Sequence, residues 1–563
     1  MSIKDTIDNM RKTISIKNIL GEDPLKIGEL PLTTVPDYMR KKGGFWYWTG
    51  ALISMAFIYQ VVTGLILLLY YNPASAYNST EYILRDVPYG ELILTTHLYG
   101  AYAMIVLIYL HMFRNYFNGA YKRPRELQWV TGVILLALTI GVGYFGYSMT
   151  GDVLSADATD VGRGIALSVP VLGKMSEAIV FGNGTNTSLF IRMLGFHIIL
   201  AALVGALFGF HFYLAEANGM MPSQRKVNYK APAVEKSKPE HKPWYPYNML
   251  FMIQLAAFTF GIMILLPSII DAMRVIHMGI PPIFDPFPQV SPSSPEAAFV
   301  PPYPPWFLLF VYKAVDFKMF NAFGAYSALM ASVVFGGIPL IYFLIVPFID
   351  RSNNLHPLSR PFFTSFGVLA IIYLVLLSAW GIMAPGIPIS TTDVMIVLIP
   401  PFILVMGSFF LLNRLYKKGA FKPSLSKLTA SFVIFLILLS VAIFEFAMQI
   451  GSVLQGINTS NALNLGAFGA ATAFAAFGTV KSSEYTHLSM MQPKEVKGLN
   501  ISIRVAQAII SILFIISAEI LWLMIQANPL DLEQEAAFGI GLGALLIIFG
   551  IGLRVYRLVY YNE

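Results

Sequence analysis

The sequence contains no cysteine among its 563 residues. This absence excludes disulfide bonds, thiolate metal sites and iron–sulfur clusters held by this chain. Charged residues are also scarce: they make up 12% of the chain, whereas ordinary soluble domains carry about 25%. Because 56% of the residues are apolar and a single soluble core stops growing at about 250–300 residues, the composition predicts that lipid surrounds much of the chain.

The excess of positive charge is small and dispersed. With 38 Lys and Arg against 31 Asp and Glu the net charge is +7, and the bases lie in short connections between apolar runs. We therefore expect no nucleic-acid partner. The first forty residues hold no apolar run of the kind found in signal peptides, so we expect no cleavable secretory signal and a cytoplasmic N-terminus.

Apolar stretches long enough to cross a bilayer, about twenty residues each, occur twelve times. They lie near 45–71, 92–113, 128–149, 188–213, 248–273, 321–349, 362–383, 394–413, 428–450, 462–480, 505–526 and 536–553. With the N-terminus inside, 31 of the 38 Lys and Arg fall on the cytoplasmic side, as the positive-inside rule requires. The pattern predicts an all-α, multi-pass protein of the plasma membrane with about twelve transmembrane helices and both termini in the cytoplasm.

Four of the eight histidines lie inside predicted spans, as two pairs with one spacing. His97 and His111 are on the second span, His197 and His211 on the fourth, and each pair is fourteen residues apart. Fourteen residues is about 3.9 helical turns, so both members face the same side, about 21 Å apart along the axis. Haem iron takes four bonds from the porphyrin and needs two axial ligands, so the spacing favours two bis-histidine haems, of b type or a modified variant.

Glycine pairs repeat this spacing on the first and third spans. Gly50 and Gly64 are fourteen residues apart, and so are Gly132 and Gly146. Glycine leaves room where another group approaches the backbone, so we expect these four residues to face the haems. Packing of small residues between helices is the alternative explanation.

Two arginines lie close to the histidines in the sequence. Arg114 follows His111 by three residues, and Arg192 precedes His197 by five. Both are placed where a cation can meet haem propionates. An arginine that extends its side chain to the membrane interface is the alternative.

Six stretches of the sequence carry a resemblance to a known family: TGALISMAFIYQVVTG, HLYGAYAMIVLIYLHMFR, WVTGVILLALTIGVGYFGY, RMLGFHIILAALVGALFGFH, PPWFLLFVYK and HPLSRP. Over about residues 35–415 the chain resembles cytochrome b of the bc1 and b6f complexes. The resemblance implies that His97 and His197 ligate an outer haem, and His111 and His211 an inner one, in a bundle of the first four spans. It also implies that quinol is oxidised near the outer haem and that one electron passes inward across the membrane.

The quinol motif departs from the pattern of the family. The family reads Pro-Glu-Trp-Tyr, whereas this chain has Pro304, Pro305, Trp306 and Phe307, so the carboxylate that would accept a quinol proton is missing. A replacement must lie within hydrogen-bond reach of the quinol, directly or through a water. The candidates on the two long outside connections, each also explained as a solvated loop charge, are Asp152, Asp157, Asp160, Glu296 and Asp316.

Three further features differ from the family, one near the outer haem and two on the inner side. Leu94 stands where an arginine usually precedes the first histidine, which weakens one propionate contact. Glu216 stands where a histidine often follows the last ligand, and the usual lysine–aspartate pair has no match near PWYPYNML. Both inner-side differences weaken the case for an inner quinone-reducing site.

These expectations divide the chain into five segments. They are a cytoplasmic N-terminal segment (1–44), a haem-binding four-helix bundle (45–217), a cytoplasmic linker (218–247), further cytochrome b-type helices with the outer PPWF loop (248–416) and a four-helix membrane extension (417–563). The extension holds Glu445, Gln449 and Glu519 inside apolar spans. Contacts between helices or subunits explain these polar groups better than proton conduction does.

The extension makes the chain similar to the cytochrome b-like subunits of terminal quinol oxidase complexes in Sulfolobus-like archaea. That resemblance implies other respiratory subunits as partners, an oxidase subunit or a Rieske-type iron–sulfur protein, with this chain as the electron-transfer subunit of a quinol-oxidising complex. Two alternatives are a secondary transporter, although the halves of the chain show no internal repeat, and a haem-free structural subunit. Visible spectroscopy separates them, because only bis-histidine haem gives sharp bands on reduction.

Overall fold

The computed structural model describes residues 45–218, 244–278, 290–419 and 501–561, together with Val35–Pro36, His241–Lys242 and Ile434. Within this part the regular secondary structure is helical apart from one antiparallel pair of two-residue strands, β1 (Val35–Pro36) and β2 (His241–Lys242), and one isolated bridge. The α-helices are α1 (Thr49–Leu68), α2 (Ala76–Asp86), α3 (Gly90–Phe117), α4 (Glu126–Ser148), α5 (Val153–Leu167), α6 (Gly173–Val180), α7 (Asn186–Asn218), α8 (Met249–Val275), α9 (Leu309–Val315), α10 (Ser327–Ser332), α11 (Ile338–Ile349), α12 (Pro361–Met383), α13 (Thr391–Lys417), α14 (Ile503–Ile525) and α15 (Leu532–Tyr560).

Ten helical segments in the described ranges are long and apolar enough to cross a membrane. They coincide with ten of the twelve predicted spans, with ends shifted by a few residues, so the all-α, multi-pass prediction is confirmed. The other two predicted spans, near 428–450 and 462–480, lie outside the described residues. Glu445 and Gln449 also lie outside the described residues, whereas Glu519 is exposed on α14.

Short polar side chains begin several of the helices. Asp152, Ser390, Ser502 and Asp531 precede α5, α13, α14 and α15, and each side chain accepts a hydrogen bond from the backbone N–H three residues further on. This N-cap satisfies one of the amide groups that the first helical turn leaves without a partner.

The first four long helices form the bundle that the sequence predicted. Helix α1 packs along α3, α4 packs along α7, and the two pairs meet through α3 and α4. Met104, Ile108 and Met112 of α3 share a buried cluster with Val133 and Leu136 of α4. Phe57 of α1 lies 6.3 Å from Phe208 of α7 between ring centroids, which closes the bundle on its fourth side.

A buried ionic network joins this bundle to the later helices. The Lys122 ammonium lies 2.8 Å from one carboxylate oxygen of Asp350, and the Arg360 guanidinium lies 3.5 Å from the other. Arg360, the arginine of the HPLSRP stretch, also donates hydrogen bonds to the carbonyl oxygens of Phe117 and Leu355. Buried charges need partners of this kind, so the network fixes the α3–α4 loop against the α11–α12 loop.

The last helix of the extension is part of the same packed body. Arg557 of α15 is fully buried, donates a hydrogen bond of 2.7 Å to the side chain of Gln254 on α8, and lies 4.8 Å from the ring of Phe251. Near the other end of α15, Glu535 accepts a hydrogen bond from the backbone N–H of Leu92 at the start of α3. The extension therefore contacts a helix that carries two of the candidate ligands.

Candidate functional site

The four span histidines lie inside the bundle as two facing pairs. The rings of His97 on α3 and His197 on α7 are 6.4 Å apart between centroids and inclined at 64°. His111 and His211, fourteen residues further along the same helices, are close enough for their charges to interact. The structure therefore brings together the residues that the equal spacing paired.

The Nδ1 atom of every one of these histidines has a hydrogen-bond partner. For three of them the partner is a threonine hydroxyl: Thr63 for His97 at 2.8 Å, Thr49 for His111 at 2.8 Å, and Thr131 for His211 at 3.0 Å. His197 uses the backbone carbonyl of Val142 instead, at 2.9 Å. Such contacts orient a ligating imidazole and fix which nitrogen carries the proton.

The hydrogen bonds of the partners define the tautomer. The hydroxyl of Thr63 donates to the carbonyl of Tyr59 at 2.8 Å, and that of Thr131 donates to Gln128 at 2.9 Å. Because each hydroxyl has one proton and has already given it away, it must accept from the Nδ1–H of its histidine. A carbonyl can only accept, so His197 is also protonated on Nδ1. The lone pair of these three histidines is then on Nε2.

His111 has the same tautomer, which follows from the contacts of the neighbouring Asn115 side chain. The side-chain amide nitrogen of Asn115 lies 3.1 Å from His111 Nε2, and the side-chain carbonyl oxygen of Asn115 accepts a hydrogen bond of 3.2 Å from Arg114. The contact to Arg114 fixes the orientation of the amide, so the amide donates to a lone pair on Nε2. A metal bound to His111 has to displace this amide.

Each ladder glycine lies against one of the four imidazoles. A Cβ atom built on Gly146 would be 2.8 Å from the ring of His197, and one on Gly64 or Gly132 would be 3.1 Å from His97 or His211. At Gly50 the corresponding distance to His111 is 3.4 Å. The group that meets each glycine is thus the histidine ring itself, so the glycines define the space in which the rings stand.

A large cavity of about 530 Å³ opens between His97 and His197. Its walls come from all four bundle helices and are mostly apolar; Leu94, Gly64 and Gly146 are among them. Cofactor pockets typically have this size and character. Leu94 therefore contributes an apolar wall at the place where the family has an arginine.

These residues fit haem better than a metal ion held by side chains. No group of three or more His, Asp, Glu or Cys side chains suited to a metal occurs among the residues that the structure describes. A structural zinc site needs four protein ligands and a catalytic one three, whereas haem iron needs two axial nitrogens. Two facing imidazoles with Nε2 lone pairs, beside an apolar cavity, match that requirement.

The two candidate propionate arginines have different surroundings. Arg114 lies one turn beyond His111, 4.8 Å from the ring of Tyr47, and holds the Asn115 side chain. Arg192 donates to the carbonyl and hydroxyl oxygens of Ser188 on its own helix. Neither is among the residues that line the large cavity. Their contact with propionates stays a prediction.

The PPWF segment lies between the large cavity and a second, smaller one. Phe307 is buried and lines the large cavity together with His97 and His197, and Trp306 meets the ring of Tyr102 edge-on at 5.5 Å. Pro304 lines a small pocket of about 110 Å³ on the other side. Pro305 is buried between them. The segment thus lies against both the cavity of the outer histidine pair and a small pocket whose lining includes Asp157, Lys313 and Asp316.

Two of the five acidic candidates have hydrogen-bond or ionic partners that account for them: Asp152 caps α5, and Asp316 lies 3.0 Å from the Lys313 ammonium. Glu296 is exposed. Asp157 and Asp316 line the small pocket. Asp160 lies on the exposed side of α5, one turn beyond Asp157.

Sequence reasoning missed the threonines that hold the imidazoles. Thr49, Thr63 and Thr131 are buried, and each immediately precedes a ladder glycine. The repeated Thr-Gly pair was the signal that could have identified them. At the fourth position Phe145 precedes Gly146, and there the histidine bonds to a backbone carbonyl instead.

Comparisons with known proteins identify the family of the chain. The profile of the family described as Cytochrome b(N-terminal)/b6/petB matches residues 102–292. A cytochrome b of Sulfolobus acidocaldarius is 36% identical over 97% of this chain and 98% of its own length. A protein described as the cytochrome b subunit of a cytochrome bc complex, from Chlorobaculum thiosulfatiphilum, is 28% identical over 61% of this chain and 77% of its own length.

A solved structure is also similar. A chain of a hyperthermophilic respiratory Complex III is 25% identical, with a TM-score of 0.53, and the match covers 72% of this chain and 97% of that chain. The similarity to the archaeal relative spans nearly the whole sequence and so includes the C-terminal extension. The chain therefore belongs to the cytochrome b family.

Proposed function

We propose that this protein is the di-haem cytochrome b subunit of a respiratory complex. His97 and His197 are the axial ligands of an outer haem, and His111 and His211 those of an inner one. The haems accept electrons from quinol and pass them across the plasma membrane. A terminal quinol oxidase assembly, with an oxidase subunit or a Rieske-type iron–sulfur protein as partner, is the setting that the archaeal resemblance favours.

The observation that carries this proposal is the set of four equivalent histidine environments. Each imidazole stands against a glycine. Each donates its Nδ1–H to a hydrogen-bond partner and therefore has its lone pair on Nε2. Histidines that only pack between helices have no need of a shared tautomer or of a glycine opposite each ring. Axial ligation requires a lone pair on Nε2 and a fixed ring orientation, and at His111 the iron would displace the Asn115 amide from that lone pair.

A quinol site beside the PPWF segment follows from the position of that segment. Phe307 lines the cavity that holds the outer histidine pair, and the indole N–H of Trp306 is buried with no hydrogen-bond partner among the described residues. An unsatisfied buried donor is costly, so an oxygen atom of a ligand is favoured there. In this position the distance for electron transfer from a quinol to the outer haem would be short.

Replacement of Trp306 tests the quinol site. Trp306→Ala removes the ring that packs on Tyr102, so we expect quinol to reduce the haems about 10- to 100-fold more slowly, because misplacement of a reactant has costs of this size. Haem content should not change. The matched control is Trp522→Ala on α14, where the tryptophan is 65% exposed. Unchanged kinetics in the Trp306 variant would argue for a purely structural loop.

The direction of electron transfer gives a second test. The histidine spacing puts the two haem irons about 21 Å apart along the helix axes, so transfer between them moves charge through much of the membrane. One charge crossing the whole membrane is worth about 2.3 kcal/mol per 100 mV. An inside-negative potential should therefore oppose inward transfer and leave the outer haem more reduced. The measurement is the reduction level of each haem in proteoliposomes under an imposed potassium diffusion potential; independence from the potential contradicts a transmembrane path.

A further inference from the structure

The missing glutamate of the PPWF segment leaves quinol oxidation without an obvious proton acceptor. The small pocket behind Pro304 supplies a carboxylate from another element. Its walls come from the PPWF segment, helix α9, the end of α12 and the surface helix α5, which contributes Asp157. Tyr312 of α9 donates a hydrogen bond of 2.7 Å to the carbonyl of Ala158, so α5 is fixed against this wall of the pocket.

Asp157 differs from the other carboxylate of the pocket. Asp316 is held 3.0 Å from the Lys313 ammonium, which also donates to the carbonyl oxygens of Ala384 and Ile387. Asp157 has no hydrogen bond or ion pair with any residue that the structure describes, and it is exposed at the mouth of the pocket. A free carboxylate accepts a proton more readily than one neutralised by a lysine.

Asp157 also lies near the larger cavity. Tyr147, which lines the cavity of the outer histidine pair, is within electrostatic range of the Asp157 carboxylate. The groups that face Asp157 across the pocket are Tyr312, Lys313 and Asp316, and Asp160 lies on its own helix. Asp157 thus lines the small pocket that Pro304 of the PPWF segment also lines, and its exposed side can meet water.

We propose that Asp157 accepts a proton from the quinol and releases it to the outer solvent, in the role that the glutamate of the motif has in the family. This inference rests on the proposed function, since it assumes that quinol binds beside the PPWF segment. The exposed side of Asp157 provides the exit to water. Burial of its other side, together with the negative charge of Asp160, raises the pKa of Asp157 and makes it a stronger base.

Oxidation of one quinol to quinone breaks two O–H bonds and releases two protons and two electrons. One proton goes to the Asp157 carboxylate and then to water, and one electron goes to the outer haem. The other proton and electron go to a one-electron oxidant of iron–sulfur type on a partner subunit, which the proposal requires.

The test is the pH dependence of haem reduction by a short-chain benzoquinol, followed by stopped-flow absorbance in the purified complex. In the wild-type protein the rate should fall as the pH drops through the pKa of Asp157, because a protonated carboxyl cannot accept. Asp157→Asn should slow reduction about 100-fold, within the usual range for loss of a general base, and remove this acid limb. Haem content and the quinol KM should change less than twofold, and Asp157→Glu should restore most of the rate.

Asp160→Asn is the matched control on the same helix. Burial is the main cause of the raised pKa of Asp157 and the Asp160 charge adds to it, so this variant should move the acid limb to lower pH and lower the maximal rate far less than Asp157→Asn does. An Asp157→Asn variant that reduces its haem at the wild-type rate with the same acid limb overturns the assignment of Asp157 alone. Failure of quinol to reduce the wild-type haem overturns both this inference and the quinol site on which it rests.

Discussion

His111→Ala should lower the haem content from two per chain to one. On the proposed assignment the substitution removes an axial ligand of the inner haem, while His97 and His197, with their partners Thr63 and Val142, are left in place. The remaining haem should keep the spectrum of a bis-histidine, low-spin site. The measurement is the haem-to-protein ratio of the purified variant, together with its reduced-minus-oxidised spectrum.

A histidine outside the ladder provides the control for this substitution. His277 is exposed just after α8, in a left-handed backbone conformation with φ of 57°. His277→Asn suits that conformation and should leave two haems per chain. Equal haem loss in both variants would show that the effect of His111→Ala is a general loss of folding and would contradict its role as a ligand.

Gly146→Val should abolish the outer haem and, with it, reduction by quinol. Even a Cβ atom at this position would be 2.8 Å from the ring of His197, and the two further methyl groups of valine need still more room. The ring cannot keep both its hydrogen bond to Val142 and its place opposite His97. We expect the haem content to fall to one per chain and the rate of quinol-driven reduction to fall at least 100-fold, since the PPWF segment faces this pair.

The matched control is Gly209→Val on α7. A Cβ at Gly209 would meet nothing within 4 Å, and the residue is exposed. This variant should keep two haems and the normal rate. If Gly146→Val also retained both haems, helix packing would explain the glycine ladder, and Gly146 would not be needed to make room for the ring of His197.

Periodicity allowed much of this arrangement to be predicted from the sequence. Helical geometry converts a fourteen-residue spacing into a shared face, so the pairing of His97 with His197 follows once the two helices face each other across the bundle. Long apolar runs similarly predict spans, because the thickness of the bilayer sets their length. Neither inference needs any knowledge of which distant side chains meet.

The remaining features depend on contacts between distant parts of the chain. Asp157 and Pro304 are 147 positions apart, and only the packing of α5 against α9 places both on one pocket. Sequence reasoning could therefore name Asp157 only as one of five acidic candidates. Likewise, the contact of Arg557 with Gln254 joins the extension to α8 through residues that carry no motif.

The central claim is that the four span histidines hold two haems, and the most direct measurement is the haem content of the purified wild-type chain. Pyridine haemochrome absorbance gives the number of haems per chain, and electron paramagnetic resonance of the oxidised protein reports the axial ligands. We predict two haems per chain, both low-spin with two histidine ligands. A haem content near zero, or haem with a high-spin signal in the intact protein, would contradict the assignment of His97, His111, His197 and His211.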